Sequence, residues 1–209
     1  MIRMALSLAL GLASVAVAED APGRFDYYVL SLSWSPNWCD RQGQNEKAEQ
    51  CDPGRRLGFV VHGLWPQYER GWPSDCRSPL RNPSRRETAA MADIMGSAGL
   101  AWYQWKKHGS CAGLMVEDYF ALLRRAAAGI KTPPELAEMR RDTTLPSPVV
   151  EAAFLRANPS LMADGVTVTC QSRALQEVRI CLTKNLQPRA CGADARKDCA
   201  GDLKIRAPR

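Results

Sequence analysis

The sequence predicts an α+β fold, because strand-like and helix-like segments are mixed along the chain without a regular βαβ alternation. Apolar residues at every second position predict strands, and capped segments with helical spacing predict helices. The chain has 209 residues, of which 45% are hydrophobic and 24% charged. This is enough for one domain with a substantial core, predicted over residues 19–209, and it excludes a disordered tail, a coiled coil or a collagen-like fibre.

Residues 1–18 are predicted to be a secretory signal peptide. Arg3 supplies the basic start, residues 4–18 are apolar, and Ala16-Val17-Ala18 is a small-residue site with cleavage expected before Glu19. The apolar run is shorter than the ~20 residues that a membrane-spanning helix needs. We therefore expect an exported protein with no membrane contact after the signal is removed.

The predicted strands begin just after this segment. Over residues 27–34, large apolar side chains stand at alternate positions, namely Tyr28, Leu30, Leu32 and Trp34. Residues 57–62 form a short apolar run that predicts a buried strand, and 63–86 is expected to be a long loop rich in Pro and Gly. A loop of that length in a compact domain is more often functional than idle. Residues 166–170 and 178–182 alternate like the arms of a hairpin.

The first predicted helix covers 87–96, because Ser84 and Glu87 have the spacing of a capping box. Further helices are predicted over 101–108, 116–130 and 147–156. Segments 133–141 and 196–209 carry no recognisable chemistry. They are expected to be helix surface and a terminal tail.

The eight cysteines form an even set that suits disulfides in an oxidising compartment. The number and spacing of the cysteines alone do not determine which of them pair. A zinc site is the alternative, but the sequence has no Cys-x-x-Cys pair and its two histidines are far apart. We therefore expect disulfides and no metal.

The only two histidines, His62 and His108, lie in segments 61–66 (VHGLWP) and 104–111 (QWKKHGSC). Gln104 and His108 are four residues apart, so a helix places them on one face with Lys107 nearby. The C-terminal end of that helix should favour the protonated form of His108. A single histidine is more often structural, but these neighbours, together with a net charge of +6, favour chemistry on an anionic substrate.

Segments 62–66 (HGLWP) and 105–111 (WKKHGSC) resemble the two active-site segments of the ribonuclease T2 family, and 25–36 is similar to the first strand of its bacterial members. The three blocks follow the family's order, so the resemblance covers essentially the whole mature chain. It implies a ribonuclease T2-like fold with a central, mainly antiparallel sheet and flanking helices. It implies a monomer, secreted or periplasmic in a bacterium. It also implies four disulfides: Cys39–Cys51, Cys76–Cys111, Cys170–Cys199 and Cys181–Cys191.

The activity implied by this resemblance is metal-independent cleavage of single-stranded RNA by its own 2′-hydroxyl, which leaves 2′,3′-cyclic phosphate and then 3′-phosphate ends. The reaction needs a base, an acid and a cation, but no cofactor, and DNA should not be cut because it lacks the nucleophile. The resemblance implies His108 as base, His62 as acid and Lys107 as the cation. The order of the two histidines stays open, and Lys107 has the alternative of an ordinary solvated lysine.

The sequence departs from the family at two positions. Gln104 stands where a glutamate is usual, and Tyr103 stands where many relatives have a histidine that helps to hold phosphate. An amide can donate and accept hydrogen bonds but cannot offset the charge of an imidazolium. We expect the histidine pKa values to fall and the pH optimum to move downward relative to a Gln104→Glu variant. A weakened T2-fold protein that binds RNA or another partner is the alternative function, and a binding module with structural histidines is a more remote one.

Four aromatic or amide side chains near the histidines are candidates for the substrate pocket. Trp65 is either a platform on which a base stacks or a core residue. Gln67 and Tyr68 are candidates to line the same pocket, with the Gln67 amide able to contact a base edge. Tyr103 is included as a substrate-binding candidate, and Trp105 is predicted to be core.

Overall fold

A computed structural model of the chain describes residues 20–43, 48–52 and 54–209. The predicted signal peptide lies outside them. The strands are β1 (Tyr27–Trp34), β2 (Phe59–Gln67), β3 (Thr143–Pro146), β4 (Val166–Gln171), β5 (Ala174–Leu182) and β6 (Asp202–Ile205). The helices are α1 (Ser35–Trp38), α2 (Arg85–Ala90), α3 (Ala92–Met95), α4 (Ala98–Lys107), α5 (Val116–Ala128), α6 (Pro134–Ala137) and α7 (Ser147–Ala157). Three single 3₁₀ turns lie at Glu49–Cys51, Gly109–Ala112 and Ala163–Gly165.

The strands of the described residues form one sheet in the order β2-β1-β5-β6-β3, and β4 branches from this order by pairing with β5. Their pairings are antiparallel except β5–β6, which is parallel and joins only Ala174 and Lys204. Helices flank this sheet. The predicted α+β class with a mainly antiparallel sheet is therefore confirmed.

Strand β1 lies between β2 and β5, and its two faces have different roles. Its large apolar residues, predicted to enter the core, are buried: Tyr28, Leu30, Leu32 and Trp34. They share one hydrophobic cluster with Tyr119 and Leu123 of α5 and with Trp105 of α4. The opposite face, which carries Val29 and Ser33, lines a cleft. The sheet thus separates the core from the cleft.

Strand β2 is longer than predicted. It runs five residues past His62, to Gln67, so that the HGLWP segment is strand rather than the start of a loop. The pairing with β1 shifts within this stretch, because Ser31 pairs with Gly63 whereas Leu32 pairs with Val61. His62 is therefore the extra residue of a β-bulge, a feature that changes the direction in which a strand side chain points.

The predicted helices are present, with different bounds. The capping box at Ser84 forms as expected. The segment predicted as one helix is divided at Met91 into α2 and α3, and Gly96 with φ 84° ends it. Helix α4 begins three residues before its predicted start, because the Ser97 side chain accepts a hydrogen bond from the backbone N–H of Leu100.

The prediction that 196–209 is a surface tail is wrong. This segment contains β6, and Leu203 and Ile205 are buried in the core. The indole Nε1 of Trp34 also donates a hydrogen bond to the carbonyl of Arg206 at 2.9 Å. The alternation of two apolar residues between charged ones was too short a signal to predict a strand.

The structure joins the eight cysteines into four disulfides, which are Cys39–Cys51, Cys76–Cys111, Cys170–Cys199 and Cys181–Cys191. These are the same pairs that the family resemblance implies, and they leave no thiol for zinc. No helix within residues 20–43, 48–52 and 54–209 is long and apolar enough to cross a membrane.

Candidate active site

A cleft of about 840 Å³ lies over the face of the sheet that is opposite the core. The floor comes from β1, β2 and β5, and one wall comes from α4. Seven of the residues singled out in the sequence line this cleft: His62, Trp65, Gln67, Tyr103, Gln104, Lys107 and His108. The fold thus brings the two histidine segments together.

His62 is partly exposed to the cleft, with its side chain 29% accessible. Its ring Nδ1 lies 2.5 Å from Oε1 of Glu177, a residue of β5 whose side chain is only 3% accessible. The bulge in β2 places the imidazole over β1, where it meets this carboxylate. One ring nitrogen is therefore engaged by a buried anion, and Nε2 is the nitrogen that remains for other partners.

His108 follows the last residue of α4 and is nearly fully buried. Burial, followed by the positive charges of Lys107 and His62, lowers its pKa to about 3, although Glu177 acts in the opposite direction. The expectation that the helix C-terminus would favour imidazolium at this position is therefore wrong. Removal from water outweighs the partial charge of the helix end. The ring is neutral over the ordinary pH range.

Trp65 lies between the two histidines. Its ring centroid is 5.2 Å from that of His62 and 5.1 Å from that of His108. Its Nε1 donates a hydrogen bond to Oε1 of Gln104 at 2.7 Å, and the guanidinium of Arg179 lies 5.2 Å from the ring centroid. The indole therefore contacts both imidazoles, and it forms part of the cleft floor rather than the core.

The remaining sequence candidates have different environments. Gln67 is buried at the cleft, and its amide donates to the carbonyl of Pro66 at 2.9 Å. Tyr103 is exposed, and its hydroxyl accepts a hydrogen bond from Lys107 Nζ at 3.4 Å. Tyr68 does not belong to this lining, because its hydroxyl donates to Asp20 instead.

The end of α4 is fixed by the loop that follows β2. The backbone N–H of Asp75 donates to the carbonyl of Lys107 at 2.8 Å, and the Cys76–Cys111 disulfide closes the same junction. Lys107 and His108 are thereby held against the segment that continues from His62. The loop after β2, which the sequence predicts to be functional, thus fixes the position of the site residues.

Gly63 allows Trp65 and Gln104 to meet. A Cβ at this position would lie 2.4 Å from Trp65 Nε1 and 2.7 Å from Gln104 Oε1. We expect Gly63→Ala to break this hydrogen bond and to lower the free energy of unfolding by about 1–3 kcal/mol, the cost of overpacking. Chemical denaturation measures the change. Gly99→Ala is the matched control, since nothing lies within 4 Å of its added Cβ. An equal effect of both substitutions would contradict the close-contact argument.

Sequence reasoning missed several residues that line the cleft, among them Arg41, Trp72, Glu177 and Arg179. Trp72 is 48% exposed, and Nε and Nη1 of Arg41 are buried with no hydrogen-bond partner among the described residues. The predicted strand began at 178, so Glu177 fell outside it. Extending the predicted strand by one residue would have included Glu177, and Glu177 and Arg179 would then lie on the same face because they are two residues apart.

The lining of the cleft is mainly positive in charge among the described residues. Its cationic side chains are Arg41, Lys107, Arg179 and Lys197, and its carboxylates are Glu177 and Asp194. Within the same part of the chain, no three His, Cys, Asp or Glu side chains are grouped so that they could hold a metal ion. The site is suited to an anion such as a phosphodiester.

Comparison with known proteins agrees with this geometry. Residues 25–191 match the model of the ribonuclease T2 family. A ribonuclease of Aeromonas hydrophila is 34% identical over 98% of this chain and 90% of its own length. The solved structure of trichomaglin, an S-like ribonuclease, superposes with a TM-score of 0.68 at 19% identity, over 89% of this chain and all of that chain. A mutant of RNase MC1 in complex with 5′-UMP gives a TM-score of 0.64 at 17% identity, over 86% and 97%. The chain therefore belongs to the ribonuclease T2 family and is a ribonuclease.

Proposed function

We propose that the protein is an endoribonuclease that cleaves single-stranded RNA through attack of the 2′-hydroxyl on the adjacent phosphate, leaving 2′,3′-cyclic phosphate ends and then 3′-phosphates. The observation that carries this proposal is the contrast between two histidines in one cleft. His108 is kept neutral by burial, whereas His62 lies against the buried carboxylate of Glu177. Two imidazoles in one cleft, one held neutral by burial and the other hydrogen-bonded to a carboxylate, are suited to act as base and acid.

In this mechanism His108 takes the proton of the 2′-hydroxyl, since a neutral imidazole is the form that accepts a proton. His62, whose Nδ1 is held by Glu177, gives a proton to the departing 5′-oxygen. The attacking oxygen belongs to the substrate, so the reaction needs no metal-activated water and no cofactor. DNA lacks that oxygen and is not cleaved.

The substrate enters as a single strand in an open, positively charged cleft. One solved neighbour of the fold holds 5′-UMP, and a nucleotide with a stacked base fits a cleft that presents Trp65 and the exposed Trp72. We further propose that the protein works outside the cytoplasm as a monomer without membrane contact. Residues 1–18, as a signal peptide, and the four disulfides support export.

The test is digestion of single-stranded RNA and of DNA in excess EDTA from about pH 4 to 8, with the product ends identified by mass. Cyclic phosphate ends from RNA alone are the expected result. Cleavage of DNA, or ends with a 5′-phosphate, would contradict transphosphorylation. A folded protein that binds RNA without cutting it would instead support the alternative of a binding protein on this scaffold.

Lys107 is expected to stabilise the charge that develops on the phosphate oxygens. We predict that Lys107→Ala lowers kcat by about 10²–10³, the usual effect of losing one such group. The matched control is Lys106→Ala, because Lys106 is the adjacent lysine of the same helix but is exposed and does not line the cleft. Steady-state cleavage of a short RNA measures both. Equal effects of the two substitutions would mean that Lys107 is only a solvated lysine.

The low pKa of His108 predicts activity that persists into acid. A base works only when deprotonated, so kcat/KM should fall only as pH drops toward about 3. Gln104→Glu adds a carboxylate to the cleft wall and stabilises protonated His108. We therefore expect the acid limb of the kcat/KM profile to move to higher pH in this variant, and the pH optimum with it. Identical profiles of the two proteins would contradict this prediction.

A further inference from the structure

Glu177 is a buried carboxylate with both oxygens engaged. It is 2% exposed, and its Oε1 lies 2.5 Å from His62 Nδ1. Its Oε2 accepts from Nε of Arg179 at 2.9 Å and lies 2.8 Å from Nη2 of the same guanidinium. The carboxylate thus joins a cleft histidine to a cleft arginine.

This carboxylate is charged despite its burial. Burial acts to raise the pKa of Glu177, but the hydrogen bond and charge of His62 and those of Arg179 together lower it to about 2. A buried ion pair of this kind often contributes little to the stability of the fold, because apolar side chains of similar volume in the same place stabilise a core as well or better. Its position at the catalytic cleft calls for another explanation.

The sheet geometry lets Glu177 reach His62 across an intervening strand. Glu177 pairs with Ser33 of β1, and Arg179 pairs with Ser31, which in turn pairs with Gly63 next to the bulge. Ser33 lines the cleft, and both β1 side chains in this row are small. The bulged His62 therefore has room to turn over β1 toward β5.

No other carboxylate in the described lining of the cleft is placed to do this. Asp194 is exposed, and its Oδ2 accepts a hydrogen bond from the N–H of Gly71. Gln104 is an amide, and its Oε1 already accepts from Trp65 Nε1. The negative charge that α4 lacks at position 104 is supplied instead from β5.

Resting on the function proposed above, we propose that Glu177 is the positioning residue of His62. The carboxylate holds the Nδ1–H of the ring, directs Nε2 into the cleft and provides the anion that Gln104 cannot provide.

Several charged groups surround His62, so the test must distinguish the effect of Glu177 from the effects of the others. The charged and titratable groups that line the same cleft are Lys107 at the end of α4 and His108 just after it, Glu177 and Arg179 from β5, Arg41 after α1, and Asp194 and Lys197 near the C-terminus. Among them only Glu177 touches the His62 ring in a hydrogen bond. Removing its charge while keeping its shape is therefore the informative change.

The first experiment reads the tautomer of His62 without any RNA. The chain has two histidines, so ¹H–¹⁵N spectra of the imidazoles contain two ring systems, which are assigned with His62→Ala. In the wild-type protein we expect neutral His62 to carry its proton on Nδ1. In Glu177→Gln we expect a mixture in which Nε2–H is populated. An Nε2–H tautomer in the wild-type protein overturns the proposal even if the variant does not fold.

The second experiment is the pH profile of RNA cleavage by Glu177→Gln. We expect kcat to fall about 10- to 100-fold with little change in KM, the size of a lost hydrogen bond to a charged group. We also expect the alkaline limb to move to lower pH, because protonated His62 has lost its anion. Glu151→Gln is the control, since that carboxyl lies on α7 outside the cleft and its pKa is already raised to about 7, mainly by burial.

These measurements separate the two proposals. A wild-type protein that cuts no RNA contradicts the proposed function, whereas the tautomer measurement still decides the role of Glu177. An active wild-type protein whose tautomer, kcat and alkaline limb are all unchanged by Glu177→Gln overturns the inference alone. A fall in kcat with an unmoved limb and tautomer would also overturn it, because it would indicate a merely structural effect.

Discussion

Replacing either histidine by alanine should lower kcat/KM for RNA cleavage by about 10²–10⁴ while the protein stays folded. His108 is the neutral ring suited to take a proton, and His62 is the ring held by a carboxylate and suited to give one. Each variant loses one of the two proton transfers. Cleavage of a defined oligoribonucleotide measures the loss, and thermal unfolding shows whether the fold survives.

A substrate with a good leaving group separates the two roles. In an activated aryl ester of a nucleoside 3′-phosphate, the aryloxide leaves without being protonated. Cleavage of this substrate therefore needs a base but hardly an acid. We expect His62→Ala to recover most of its activity on this substrate and His108→Ala to stay impaired. The opposite pattern would show that the two roles are exchanged. Full activity of both folded variants on RNA would contradict the catalytic roles proposed for the two histidines and would favour an active site elsewhere in the protein.

The local patterns predicted the fold well where they were long. The alternation along β1 and the capping box at Ser84 each depend on residues close in sequence, and both are present in the structure. The short strand β6 was missed because its stability comes from distant contacts, such as the hydrogen bond from Trp34 to Arg206. Such contacts leave little trace in the segment itself.

The candidate site was predictable only in part for the same reason. The histidine segments could be read because their neighbours in sequence are also their neighbours in the cleft. Glu177 is 115 residues away from His62 along the chain, and their contact depends on a bulge that alternation cannot predict. The protonation of His108 was predicted wrongly because a helix end is visible in the sequence, whereas its burial against other elements is not.

The Cys76–Cys111 disulfide should matter for both stability and catalysis. It closes a separation of 35 residues, and replacing both cysteines by alanine should lower the free energy of unfolding by about 2–4 kcal/mol, mainly because the unfolded chain gains freedom. It also holds the end of α4 against the loop after β2. We therefore expect kcat to fall by about 10²-fold, since small displacements of a catalytic group are costly.

The matched control is the double alanine variant of Cys170 and Cys199, whose disulfide closes a similar separation of 29 residues but joins β4 to the segment before β6. Chain entropy depends on loop length, so the two double variants should lose similar stability. Only the first should lose kcat, because only Cys111 follows directly on the segment that carries Lys107 and His108. Equal losses of kcat at matched fractions of folded protein would mean that the disulfide near α4 acts through global stability alone. A selective loss would show that the loop after β2 sets the position of the base.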